Sequence, residues 1–213
     1  QRQMWLRERK RVVRYLVERP RFVWTYPWQE ETEHIDVFCD ANFAGCKATQ
    51  RSTSGGAITR GEQCLRTWSK TQACVTLSSA ESEFLGAVRG GVEALGMTSL
   101  FKDFGQATKV ALHMDASAAL GVIQRRGVGK VRHLDVSTLW LSEQQLRKVI
   151  GFRKIHGLKN AADLLTKHVP RDVMGKHVEA LGLEWRTGKS KVAAQLHWVH
   201  KRGLAVHAQL EYL

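Results

Sequence analysis

Apolar and polar residues alternate over several short stretches of this chain, the pattern that a half-buried β-strand produces. Runs of strand length and composition occur at 35–43, 57–60, 65–69, 109–114 and 149–155. The dipeptide at 61–62 is suited to a hairpin turn between the second and third runs, and the segment 51–56 has the composition of a turn. The pattern therefore predicts five strands, with a hairpin in the first half of the chain.

Elsewhere the apolar residues recur every three or four positions, as they do on one face of an amphipathic helix. This spacing predicts helices at 3–18, 79–102, 116–124, 135–147 and 171–182, with a further short helix from Ala161. Pro20 is expected to end the first helix, which is strongly basic. Strands and helices alternate along the middle of the chain, and this order predicts an α/β fold with a mixed sheet.

The chain has 213 residues, of which 43% are hydrophobic, enough for one sizeable core. We expect a basic linker helix over 1–30, one main domain over 31–169, and a C-terminal helix with a basic tail over 170–213. The 33 Lys and Arg against 20 Asp and Glu give a formal net charge of +13. An excess of this size is typical of a protein that binds a polyanion such as a nucleic acid.

The cysteines and the apolar runs narrow the class of protein further. Cys39, Cys46, Cys64 and Cys74 form no CxxC pair and have no histidines at zinc-finger spacing. They are expected to be reduced, mostly buried residues of an intracellular protein. No apolar run has the length of a membrane span, and no predicted helix joins a basic face to a continuous apolar face. We therefore expect no membrane partner.

Four acidic residues stand where predicted elements end or begin. Asp40 and Asp115 each follow an apolar strand, whereas Glu83 and Asp163 each stand near the start of a helix. Acids in such positions can converge on one point, where like charges raise each other's pKa values. Hard divalent cations relieve the repulsion, because they prefer carboxylate oxygens as ligands. In a basic protein this combination indicates metal-dependent chemistry on a nucleic acid.

Glu81 competes with Glu83 for one place in this set, because residues two apart on a helix do not share a face. Ser78 and Glu81 fit a capping box, in which the Glu81 side chain reaches back to the Ser78 amide. That gives Glu81 a structural role and makes Glu83 the predicted metal ligand.

Five short motifs carry a resemblance to a known family: DANFAG (40–45), RSTSG (51–55), WSKTQ (68–72), LSSAESEF (77–84) and ADLLTK (162–167). In this order they resemble the ribonuclease H domain of copia-type retrotransposon Pol polyproteins. The segment 10–16 is similar to the chain that leaves the reverse transcriptase region of such polyproteins. Two positions depart from the family, because Asn42 stands where many relatives have a second Asp, and His156 where many have no histidine.

The resemblance implies a ribonuclease H-like fold, a mixed five-stranded sheet with helices on both faces. It implies endonucleolytic hydrolysis of the RNA strand of RNA:DNA hybrids, beside the upstream reverse transcriptase domain of the same polyprotein. Two Mg²⁺ ions, with Mn²⁺ as an alternative, would be held by the family's four catalytic acids, which correspond here to Asp40, Glu83, Asp115 and Asp163. The locations implied are the cytoplasm, in virus-like particles, and the nucleus.

His156 precedes Asp163 at a place comparable to a mobile histidine of many ribonucleases H. That histidine assists proton movement or product release, so His156 is a candidate catalytic residue. An ordinary loop histidine is the alternative interpretation.

Substrate contacts are expected to follow the shape of the hybrid rather than its base sequence. Polar candidates for contact with ribose hydroxyls are Ser52, Thr53, Ser54 and Gln72, with surface solubility as the alternative role. Basic candidates for contact with the phosphate backbone are Arg125, Arg126, Lys130 and Arg132.

Three other functions are compatible with parts of the sequence. A catalytically inactive remnant would bind hybrid or duplex without cutting it, an integrase-like or resolvase-like nuclease would cut DNA, and a polymerase tail would only grip the template. The presence of all four acids argues against the first, and the five motifs argue against the second. The third can coexist with activity.

Overall fold

In the computed structural model, the chain is described over residues 2–19, 21–124, 135–188, 196–197 and 209–210. It divides into two compact units, one formed by Gln1–Val23 with Glu184–Leu213 and the other by Trp24–Leu183. The element bounds outside the main sheet are α1 Arg2–Glu18, β1 Arg21–Trp24, β7 Leu183–Arg186, β8 Leu196–His197 and β9 Gln209–Leu210. Strands β1 and β7 pair with each other, as do β8 and β9.

Aromatic and cationic side chains hold the first unit together. The Trp185 Nε1 donates a hydrogen bond of 2.9 Å to the Tyr15 hydroxyl. The Arg19 guanidinium lies 4.4 Å from the centroid of the Trp185 ring, within the range of a cation–π contact.

A five-stranded mixed sheet forms the centre of the second unit. Its strands are β2 His34–Asn42, β3 Thr53–Arg60, β4 Gln63–Thr71, β5 Lys109–Met114 and β6 Ile150–Lys154, in the order β4-β3-β2-β5-β6. The first three pair antiparallel, whereas β2, β5 and β6 pair parallel. Strand β2 is therefore the middle strand, with its buried residues Ile35 and Val37 in the core.

Helices cover both faces of this sheet. They are α2 Ser79–Asp103, α3 Ser117–Gln124, α4 Asp135–Leu146 and α5 Asp163–Thr166, and α6 Arg171–Ala180 follows them in the chain. Successive residues of β2 point to opposite faces. Cys39 approaches Gly90 of α2, whereas Asp40 contacts Thr166 of α5. Helices α2 and α5 thus lie on opposite sides of the middle strand, as expected.

The predicted elements are confirmed, with small shifts of their bounds, and one turn is corrected. Gly61 takes a φ of +58° in the hairpin turn between β3 and β4, a conformation that glycine adopts readily. The segment 51–56 is not a turn throughout, since β3 begins at Thr53. Its two glycines, Gly55 and Gly56, lie within β3. A side chain at Gly55 would collide with Leu165, and one at Gly56 would collide with Trp68.

Strands β1 and β7 were not predicted from the sequence. Each is only four residues long, the lower limit of a strand pattern; β1 does not alternate, and the alternation of β7 is too short to identify a strand. Their pairing joins segments far apart in the chain, which a local pattern does not reveal.

The four cysteines are free, as expected, with Cys39 and Cys64 buried and Cys74 exposed. Among the described helices, none is long and apolar enough to cross a membrane.

Candidate active site

Three of the four predicted acids converge. Asp40, Glu83 and Asp115 each offer one carboxylate oxygen, and these oxygens all lie within 4.8 Å of one another. Asp40 is buried, whereas Glu83 and Asp115 are partly exposed, so the cluster opens to solvent on one side. An arrangement of three oxygen donors at this separation suits a hard divalent cation.

The strand pairing explains how Asp40 and Asp115 meet. Strands β2 and β5 run parallel, with Phe38 opposite His113, so their carboxyl ends lie side by side. Asp40 stands two residues after Phe38, and Asp115 two residues after His113. Residues at equal distances beyond a paired position lie on the same face of the sheet.

The close packing of α2 on β2 explains the position of Glu83. A Cβ atom on Gly86 would lie 3.4 Å from the backbone oxygen of Asp40. The helix therefore approaches the strand closely at this point. Glu83 precedes Gly86 by nearly one helical turn and so reaches the same strand end.

Glu81 has the capping role that the sequence predicted, with one difference. The Ser78 side chain accepts a hydrogen bond of 3.2 Å from the Glu81 amide. The Glu81 carboxylate accepts one of 2.8 Å from the amide of Leu77, rather than from that of Ser78. The carboxylate is thereby held at the start of α2, and Glu83 joins the cluster instead.

Asp40 is held from the opposite face of the sheet by α5. Its Oδ2 accepts a hydrogen bond from the Thr166 hydroxyl. Its Oδ1 is buried and lies 3.2 Å from the Nζ of Lys167, and no other described residue donates a hydrogen bond to it. Asp40 therefore keeps one oxygen whose only described partner is an ammonium group.

Asp163, the fourth predicted acid, lies at the margin of the cluster. It is the first residue of α5, and its Oδ1 lies 3.1 Å from the same Lys167 ammonium. The group of three converging carboxylates does not include it. Burial, together with the negative charge of Asp40, raises the pKa of Asp163 to about 6.

Within the cluster, Glu83 is the acid whose charged form is most disfavoured. Burial, followed by the charges of Asp40 and Asp115, raises the pKa of Glu83 to about 8. A carboxyl group with such a pKa holds its proton at neutral pH unless a cation takes the proton's place. The cluster is thus prepared for a positive partner.

Sequence reasoning missed Asn160, a fully buried side chain. Its Nδ2 donates a hydrogen bond of 2.9 Å to the Cys39 oxygen, and its Oδ1 accepts one of 3.3 Å from the Ala162 amide. Asn160 thus fastens the segment before Asp163 to the strand that carries Asp40. The residue directly before α5 is Ala162, so Asn160 lies ahead of the helix and joins it to β2.

Thr166 and Lys167 were also missed, although they stand in the ADLLTK motif. A spacing of three and four residues from Asp163 places them on its side of the helix. That spacing was the signal by which they could have been found.

His156 is exposed and stands at the head of the short 3₁₀ turn Gly157–Lys159. Its Nδ1 accepts a hydrogen bond of 3.3 Å from the Leu158 amide. The turn lies against the cluster, because a Cβ on Gly157 would come within 3.2 Å of the Asp115 Oδ2.

Most of the predicted polar contact residues lie inside the protein. Ser52 accepts a hydrogen bond from the Ala44 amide at 3.0 Å and lies 2.9 Å from the Thr76 hydroxyl. Gln72 donates to Ser54 at 2.8 Å. Thr53, at the start of β3, is partly exposed. The predicted basic contacts Arg125, Arg126, Lys130 and Arg132 lie outside the described residues.

Comparison with known proteins supports the fold and the family. No protein-family model matches the chain. The retrovirus-related Pol polyprotein from transposon TNT 1-94 of Nicotiana tabacum is 28% identical over 148 residues, 68% of this chain and 11% of that protein. An uncharacterized mitochondrial protein of Arabidopsis thaliana is 36% identical over 75 residues, 35% of this chain and 31% of that protein.

Among solved structures, LC11-RNase H1, isolated from compost by a metagenomic approach, is similar with a TM-score of 0.51. The two are 18% identical, and the similarity covers 69% of this chain and 99% of that one. The fold is therefore that of a ribonuclease H. The chain thus has a ribonuclease H fold and is similar in sequence to a retrovirus-related Pol polyprotein, in agreement with the resemblance that its five motifs carry.

Proposed function

We propose that this domain hydrolyses the RNA strand of RNA:DNA hybrids endonucleolytically, with divalent metal ions, during reverse transcription. The observation that carries the proposal is the convergence of Asp40, Glu83 and Asp115 within 4.8 Å. It occurs on a ribonuclease H fold in a chain of net charge +13, which suits a polyanionic substrate. The upstream reverse transcriptase domain of a Pol polyprotein is the proposed partner.

The residues present fit a divalent cation. Three carboxylates supply the oxygen ligands that Mg²⁺ and Mn²⁺ prefer, and the buried Oδ1 of Asp40 has only a cation, the Lys167 ammonium, as its partner among the described residues. We assign Asp40, Glu83 and Asp115 to a first ion, and Asp40 with Asp163 to a second. When bound, such ions lower the pKa of water and stabilise the departing oxygen of a phosphodiester.

The protein's own residues prepare this chemistry in three ways. The middle strand and the Thr166 hydroxyl fix the orientation of Asp40. Glu83, whose pKa is about 8, releases its proton when a cation binds, so metal affinity is expected to rise with pH. The exposed imidazole of His156 stands beside the turn that contacts Asp115 and can exchange protons with solvent.

A cleavage assay tests the proposal. The purified chain is incubated with a labelled RNA:DNA hybrid in Mg²⁺ or in EDTA, beside Asp115→Asn and the control Asp103→Asn. The wild type is expected to degrade the RNA strand alone, and only with Mg²⁺. Asp115→Asn is expected to lose activity by about a hundredfold or more, as when a charge-stabilising group is removed from other active sites. Asp103 is exposed near the end of α2, so Asp103→Asn should match the wild type.

Two results would contradict the proposal. Binding of the hybrid without cleavage, also after the upstream reverse transcriptase domain is added, would identify an inactive binding remnant. Cleavage of duplex DNA without RNA would instead place the site with the integrase-like nucleases.

A further inference from the structure

Lys167 places a positive charge inside the acidic site. Its Nζ lies 3.2 Å from the Oδ1 of Asp40 and 3.1 Å from the Oδ1 of Asp163. No described residue other than Lys167 donates a hydrogen bond to either oxygen. The ammonium thus occupies the space between the two acids that we assign to the second ion.

The position of this ammonium divides the carboxylates into two sets that share Asp40. Asp40, Glu83 and Asp115 form the converging group, which opens to solvent. Asp40 and Asp163 form the other pair, which Lys167 bridges. A cation in the first set meets Lys167 only at Asp40, whereas a cation in the second set meets it at both of its carboxylates.

Lys167 is able to move aside. Its side chain is 40% exposed, although the Asp40 carboxylate beneath it is fully buried. It stands on the short helix α5, and a lysine has four rotatable bonds between its backbone and its charge. Rotation about these bonds can carry the ammonium into water while the two carboxylates stay in place.

We propose that Lys167 is a displaceable internal cation that makes the two metal positions unequal, so that the ion at Asp40 and Asp163 binds more weakly than the first. The proposal rests on the metal centre proposed above and adds an order of loading to it. Lys167 is a positioning residue in this scheme, since it acts through Asp40 and Asp163.

A simple structural role for Lys167 makes a different prediction. An ion pair that only stabilises α5 would lower the melting temperature when removed and would leave metal binding unchanged. Metal binding, measured apart from cleavage, therefore distinguishes the two roles.

The experiment is a Mn²⁺ titration of the full chain, in which the electron paramagnetic resonance of free Mn²⁺ counts bound ions. Calorimetry with Mg²⁺ repeats it on the proposed ion. The variants are Lys167→Met, which removes the charge, and Lys167→Arg, which keeps it. The control Lys176→Met removes one positive charge from an exposed position of α6.

The wild type is expected to bind one ion tightly and a second more weakly. Lys167→Met should tighten the second by about tenfold or more, because a neighbouring charge shifts carboxylate affinity by one to three pKa units and partial exposure reduces the effect to the lower end. Lys167→Arg should keep two unequal affinities. Lys176→Met should change both by less than about twofold, because exposed charges at a distance are screened.

Two equal affinities in the wild type would overturn the proposal, as would a Lys167→Met protein that melts cooperatively and binds both ions like the wild type. Failure of the wild type to bind any ion would be a different result, because it would overturn the metal centre itself. The two failures are therefore distinguishable in one titration.

Discussion

The carboxyl group of Glu83 stands where burial and two acidic neighbours disfavour its charge. Its pKa of about 8 lies above the ordinary value of 4.5, so the folded protein holds a proton that the unfolded chain releases. Between these two values, the folded state binds more protons than the unfolded state, and the free energy of unfolding falls as pH rises. Asp163, with a pKa of about 6, acts in the same direction at lower pH.

We therefore predict that the metal-free protein loses stability as pH rises from about 5 to about 8. The contribution of Glu83 is expected to be on the order of 1–2 kcal/mol, since its partial exposure lets water screen the charge. Urea unfolding in EDTA at several pH values measures this loss.

The matched variant Glu83→Gln cannot titrate at this position. Its stability should exceed that of the wild type increasingly as pH rises towards 8. Saturating Mg²⁺ should remove most of the wild-type loss, because the ion replaces the proton. A difference between the two proteins that does not change with pH would contradict the assignment.

The close contact between α2 and β2 depends on glycines on one side of the helix. A Cβ on Gly90 would collide with the Sγ of Cys39, which is buried in the middle strand. A Cβ on Gly96, farther along the same helix, would meet nothing within 4 Å. Two glycines of one helix therefore have opposite requirements, and of these two only Gly90 lies in the contact with β2.

Gly90→Ala is predicted to destabilise the protein by about 1–3 kcal/mol, the usual effect of an extra methyl group in a packed core. Gly96→Ala is predicted to stabilise it by about 0.5–1 kcal/mol, because alanine favours the helix. Chemical denaturation of both variants gives the comparison directly.

The double variant Gly90→Ala with Cys39→Ala checks the cause. Removing the sulfur should restore part of the stability that Gly90→Ala loses. If Gly90→Ala and Gly96→Ala have the same effect on stability, the close contact does not limit the packing of α2.

For the molecule as a whole, the charge of +13 is combined with an acidic cluster. The acids are suited to binding small cations, whereas the excess of Lys and Arg is suited to binding the phosphates of a nucleic acid. Affinity that comes from phosphate contacts decreases with salt, because binding releases the counterions of the nucleic acid.

Hybrid binding is therefore predicted to weaken by about tenfold or more between 50 and 200 mM salt, as several phosphate contacts would require. Replacing Arg125, Arg126, Lys130 and Arg132 by Gln should reduce the slope of log affinity against log salt. Fluorescence anisotropy with an inactive Asp115→Asn protein measures both without cleavage. An unchanged slope would show that these four residues do not contact phosphates.

The strands of the main sheet and the helices could be predicted because each depends on a local pattern, and the structure confirms them. Alternation identified β2, a short apolar run identified β5, and the capping box separated Glu81 from Glu83, since each signal spans only a few residues. The division at residues 30 and 169 remains a prediction, as do the catalytic and substrate-binding roles of the site residues.

The sequence by itself determined the strands of the main sheet, the helices, the resemblance to a family and four candidate acids, because acids at the ends of periodic segments can be recognised without the fold. Only the tertiary structure decided the rest. It joined Asn160 to Cys39 across 121 residues, brought Thr166 to Asp40 across 126, and placed Ser54 and Gln72 inside the protein. It also set Lys167 between Asp40 and Asp163. The physical reason is that these contacts depend on how distant segments pack, which no local pattern encodes.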